Sequence, residues 1–113
     1  LITVPVPFLD TACPSRWLAS LDRLAKADYD LVVPGHGAPM HRAEVEAYRT
    51  ALRNFVGCAG TAAKSVSDCS AGWKTDARAL LGNEDPKWLD GMLGYYIELL
   101  RGDPKRIEKL CAE

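Results

Sequence analysis

The residues best suited to chemistry lie in one short stretch, Val32-Val33-Pro34-Gly35-His36-Gly37. Glycines on both sides of an imidazole let the backbone take tight or left-handed conformations, so the ring can project from a turn that ends an apolar run. Such a mount suits a metal ligand, because neutral imidazole is the commonest protein ligand for zinc. A catalytic zinc needs several protein ligands and a water, and one histidine cannot hold it. Pro-Gly-x-Gly is also ordinary turn chemistry, so spacing alone leaves His36 open between a ligand and a plain turn residue. His41 begins a helical stretch and reads as a solvated or capping residue.

Other candidates are weaker. Ser15, Ser65 and Ser67 have no positioned base evident in the sequence, so a serine nucleophile is not supported. Trp17, Trp73, Trp88, Tyr48, Tyr95 and Tyr96 would suit a substrate groove, but aromatic residues at helical spacing are more often core. Gly91-Met92-Leu93-Gly94 fits close helix packing better than a phosphate site. The cysteines are Cys13, Cys58, Cys69 and Cys111, and no pair has the C-x-x-C spacing of a zinc ribbon or a thioredoxin-like site. Cys58 and Cys69 flank a short polar connection, where a disulfide would contribute roughly 2–3 kcal/mol through the unfolded state. The alternative is small buried thiols in a cytosolic protein. A Cys58–Cys69 bridge would imply a periplasmic or secreted protein, its absence a cytoplasmic one.

The elements that must position these groups are mostly helices. Leu1 to Leu9 alternates apolar residues with prolines, which fits a short edge strand or extended segment. From Pro14 onward Trp17, Leu18, Leu21, Leu24 and Ala25 recur at helical spacing, with polar residues opposite. Leu31-Val32-Val33 reads as a short buried strand, which places His36 just past its C-terminal end. Val45, Tyr48, Leu52 and Phe55 predict a helix over 42–56, with Gly57 placed to end it. Short helices are expected over 65–71 and 75–81. Asp85-Pro86 and Asp103-Pro104 each pair an N-cap acid with proline at the first helical position, predicting two further helices, the first stopped by Gly102 and the second reaching about Cys111.

A chain of 113 residues with 48 % hydrophobic and 26 % charged residues is long enough for one modest folded unit. Fourteen basic residues against 15 acidic ones give no electrostatic reason to expect nucleic acid or an anionic membrane as a partner. No apolar run approaches the roughly 20 residues that span a bilayer. The start, Leu1-Ile2-Thr3-Val4-Pro5, has neither initiator Met nor leader pattern and reads as cut from a longer protein, by design or by proteolysis.

Trp17-Leu18-Ala19-Ser20-Leu21-Asp22-Arg23-Leu24 is followed by Tyr29-Asp30-Leu31-Val32-Val33-Pro34-Gly35-His36-Gly37. Together they resemble the helix, strand and Gly-His-Gly turn that close the metal site of metallo-β-lactamase-fold hydrolases. Val6-Pro7-Phe8-Leu9-Asp10 is similar to the segment just after the strand bearing that family's bridging aspartate, particularly among quinoprotein-associated zinc hydrolases. The resemblance covers Val6 to about Val56. It implies an αββα sandwich, zinc or iron activating a water, and His36 as a ligand of the second metal, shaped by Gly35 and Gly37. The family's His-x-His-x-Asp-His motif, its intermediate histidine and its bridging acid are missing and would lie before Leu1. Asp10 falls too late to be that acid and reads as a turn or helix-opening residue.

The expected architecture is therefore a mainly α fragment with one or two short β-strands, the C-terminal part of an αββα sandwich. Residues 1–57 would form its half-layer with the Gly-His-Gly turn, and residues 58–113 a helical extension packed on it. On this reading the chain is the C-terminal fragment of a metal-dependent hydrolase acting on an ester, thioester, lactam or related bond of an unidentified small molecule. Alone it would bind no zinc or iron stably and would be inactive. The competing reading is a noncatalytic helical packing module that covers the sandwich or forms a homodimer.

Overall fold

The computed structural model describes residues 2–112; it is mainly helical, with one small antiparallel sheet. Along the chain lie α1 (Pro14–Ala25), β1 (Leu31–Val32), β2 (Met40–His41), α2 (Arg42–Ala59), α3 (Val66–Asp76), a 3₁₀ turn (Arg78–Leu80), α4 (Pro86–Arg101) and α5 (Pro104–Leu110). Helix starts follow local capping chemistry. Proline occupies the first turn of α1, α4 and α5, where a missing N–H removes no helical bond. Asp85 and Asp103 accept from the Lys87 and Lys105 amides at 3.3 and 3.0 Å, and Ser65 accepts from the Asp68 amide at 2.9 Å.

Helix α2 is the centre of the packing, meeting α1, α3, α4 and the sheet. It buries Val45, Tyr48, Ala51, Leu52, Phe55 and Ala59 along one stripe. Trp73 of α3 sets its ring edge against Tyr48 and Phe55, with centroids 5.9 and 5.5 Å apart. Leu89, Leu93, Tyr96 and Ile97 of α4, and Ile2, Val4, Val6 and Leu9 of the N-terminal segment, complete one continuous core. At the surface Asp22 of α1 accepts from Arg49 and Arg53 of α2 at 3.1 and 2.6 Å, and Arg53 above all holds its carboxyl below the ordinary carboxylate value.

Several boundaries differ from the sequence expectation. Helix α2 does not stop at Gly57 but continues to Ala59, capped by Gly60. An interior glycine costs only about 1 kcal/mol, and burial of Ala59 with the Cys58–Cys69 bond outweighs it. The expected pair of short helices over 65–71 and 75–81 is instead the single helix α3, running through Gly72, followed by the 3₁₀ turn. Leu31 and Val32 of the expected run form a strand, but not a buried one: Leu31 is 52 % exposed, and Val33, just beyond it, 75 %. Among the described residues β1 pairs only with β2, Leu31 opposite His41 and Val32 opposite Met40, and the outward Leu31 stays half exposed. Three apolar residues report strand propensity without showing which face is covered.

Both cysteine pairs are disulfides, Cys58–Cys69 as anticipated and Cys13–Cys111 in addition. Arg101 at the end of α4 donates to the carbonyls of Cys58, Ala59, Thr61 and Lys64, so one guanidinium satisfies the turn between α2 and α3. A Cβ added at Gly94 of α4 would lie 3.7 Å from the Val66 side chain of α3, an ordinary contact, whereas one at Gly91 would meet open space. Of the two glycines expected in helix packing, only Gly94 meets a neighbouring helix.

Burial pushes the Tyr48 phenol from its ordinary value of 10.0 up to about 12. Below pH 10 the folded and unfolded chains both carry a neutral phenol, and stability is unaffected. Between 10 and 12 the unfolded chain ionises while the folded one does not, so stability falls with rising pH and levels off above the folded value. A shift of this size corresponds to a loss of about 2–3 kcal/mol. Denaturant titrations across this window are expected to show a shallower decline for Tyr48→Phe; an unchanged slope would remove Tyr48 from the account.

Candidate functional site

His36 sits where the loop after β1 returns alongside the N-terminal segment. The Gly35 amide donates to the Ile2 carbonyl and the Val4 amide to the His36 carbonyl, each at 3.1 Å, forming a parallel bridge between Thr3 and His36. Gly37 makes the turn possible. Its φ is +126°, a region side chains rarely adopt, and an added Cβ would run into the Val4 side chain. Gly35 contributes its N–H; a Cβ there would meet only the Ile2 carbonyl at 3.8 Å.

The His36 ring is fixed from one side. Its Nδ1 lies 2.8 Å from the Val4 carbonyl oxygen. A carbonyl can only accept, so Nδ1 carries a proton, and in the neutral ring the lone pair is on Nε2. The residue is exposed, and the Phe8 ring stands edge-on to it at 5.5 Å. An imidazole anchored through Nδ1–H to a backbone carbonyl is the arrangement that orients Nε2 toward a metal and raises its basicity.

Position further along the chain is held by Arg42, which donates to the Ala25, Ala27 and Tyr29 carbonyls and stacks 4.0 Å from the centre of the Tyr29 ring. This fastens the segment leading into β1 onto the start of α2. His41 is the N-cap position of α2, and its amide donates to Glu44 at 3.0 Å, a helix-opening role.

Asp10 lies in a turn, as expected, and faces α4 rather than His36. Its carboxylate accepts from the Tyr96 hydroxyl at 2.7 Å and the Tyr95 hydroxyl at 3.2 Å, and its carbonyl accepts from Arg106 of α5. Burial first, and then the Asp10 carboxylate, hold the Tyr96 phenol above its ordinary range. Phe8 bridges the two groups, with its ring 5.5 Å from His36 and 6.3 Å from Tyr96. Of the aromatic candidates, Trp17, Tyr48, Trp73 and Tyr96 are core, while Trp88 and Tyr95 are 40 % and 50 % exposed.

Among the described residues no three His, Cys, Asp or Glu side chains converge on a point that could hold a metal ion. Ser15 contacts the disulfide-bonded Cys13, and Ser65 caps α3. No helix among the described residues is long and apolar enough to cross a membrane. No protein family, curated protein or solved structure matches the chain.

Proposed function

We propose that the chain is the C-terminal part of a metal-dependent hydrolase of the metallo-β-lactamase fold, with His36 contributing one ligand to a zinc or iron site completed by residues that precede Leu1. The observation that carries this reading is the Nδ1 contact with the Val4 carbonyl, which leaves an exposed, oriented Nε2. The uncovered apolar side chains of Leu31 and Val33 support it, since a further layer packed on that face would cover them. The same face would serve a second copy of the chain in the packing-module reading, which a strictly monomeric species in light scattering would overturn.

When bound, the metal would supply a hydroxide near neutral pH. The chain's own contribution is to orient one imidazole and to bring Phe8 beside it. The two disulfides favour an oxidising, exported location for the parent. In the protein that includes the preceding half, His36→Ala is expected to lose metal and hydrolytic activity together, while His41→Ala changes neither. Metal content and turnover that survive His36→Ala would end this reading.

A further inference from the structure

Between the N-terminal segment and the first turns of α1 lies a cavity of about 450 Å³, bounded chiefly by Thr3, Phe8, Thr11, Arg16, Trp17 and Ser20. Two of these walls belong also to the surroundings of His36. Thr3 is its backbone bridge partner, and Phe8 presents its ring to the imidazole. The cavity thus shares Thr3 and Phe8 with the surroundings of His36, which does not itself line it.

Its chemistry favours a negative ligand with an apolar body. Arg16 is exposed and, among the described residues, makes no hydrogen bond or ion pair, unlike Arg42, Arg49, Arg53 and Arg101, which are all engaged. Among the described residues no acidic side chain lines the cavity. Two acids close to it in sequence are committed elsewhere, Asp10 to the two tyrosines and Asp22 to Arg49 and Arg53. Ser20 accepts from Arg23 at 3.1 Å, which leaves its hydroxyl proton to donate. Trp17 and the half-buried Phe8 supply the apolar wall. A guanidinium fork with no partner matches a carboxylate in geometry as well as charge.

We propose that this cavity is a substrate subsite in which Arg16 holds the carboxylate of a small organic acid derivative, with the bond to be broken placed at His36. The assignment rests on the reading of His36 as a metal ligand. It names the substrate class of that site as a molecule carrying a carboxylate on an apolar body.

The test is a titration of the ¹⁵N-labelled chain with benzoate, with benzamide as the neutral control of nearly equal shape. Benzoate is expected to shift the Thr11, Arg16 and Ser20 amides saturably in the millimolar range, and benzamide to leave them unchanged. Arg16→Gln should weaken benzoate binding by about tenfold or more, the loss of one charge-assisted fork. Arg78→Gln, an exposed arginine on the 3₁₀ turn, should have no effect. Equal response to benzamide, or benzoate binding unchanged in Arg16→Gln, overturns the subsite. Metal content of His36→Ala in the protein that includes the preceding half reports separately on the metal reading. Metal lost in that variant while benzoate fails to bind removes the subsite and keeps the metal reading. Benzoate binding with metal content unchanged in that variant removes the metal reading, and with it the placement of the substrate's reactive bond.

Discussion

Replacing Cys13 and Cys111 together by alanine is expected to cost about 3–5 kcal/mol, and the equivalent change at Cys58 and Cys69 about 2–3 kcal/mol. The ordering follows from loop length. The first bond closes a separation of 98 residues and the second one of 11, and the entropy removed from the unfolded chain grows with the logarithm of that length. The upper figure for the long loop is not reached in full, because α5 is held to the rest of the protein by little else. None of its residues is buried; Ile107 sits in an apolar groove with Pro14, Leu18, Val56 and Leu100, and Arg106 donates to the Asp10 carbonyl. Without the bond, α5 frays before the core melts, and part of the lost entropy is recovered in the folded state. Amide exchange over 104–111 should accelerate in the Cys13/Cys111 variant while the amides of α2 keep their relative protection. A smaller loss for this pair than for Cys58/Cys69 would show that loop closure is not the main contribution.

What could be read from the sequence was local, and what escaped it was long-range. Asp85-Pro86 and Asp103-Pro104 announced α4 and α5 because an N-cap acid and a proline act within one turn. Gly57 and Gly72 misplaced helix boundaries because their propensity cost is small beside the burial of Ala59 and Trp73, which depends on neighbours distant in sequence. The flanking glycines located His36, and Gly37 does hold a positive φ. The contact that gives the ring a fixed tautomer comes from Val4, 32 positions away, and carries no signature in composition or spacing. Asp10 was legible as a turn residue, but its phenol partners at separations of 85 and 86 were not. The Cys13–Cys111 bond had one available signal: once Cys58 and Cys69 pair in an exported protein, those two cysteines remain.

Trp73→Ala is expected to be the most damaging single core change, at about 3–5 kcal/mol, enough to leave a domain of this size largely unfolded near 37 °C. The side chain is 1 % exposed, lies edge-on to Tyr48 and Phe55, and donates from Nε1 to the Pro5 carbonyl at 2.9 Å. Trp73→Phe separates these roles. It keeps most of the ring and strands the buried Pro5 carbonyl, for a cost of about 1–3 kcal/mol. Pro5 adjoins Val4, whose carbonyl fixes the His36 ring, so the indole N–H reaches the candidate site through the N-terminal segment. Releasing Pro5 should loosen that segment and let His36 sample both neutral tautomers. Long-range ¹H–¹⁵N correlation of the imidazole would detect this as a loss of the pure Nδ1–H pattern in a variant that is still folded. If Trp73→Phe lowers stability but leaves the His36 tautomer untouched, the Val4 contact is maintained by the parallel bridge to His36 alone, and α3 supports the core without positioning the site.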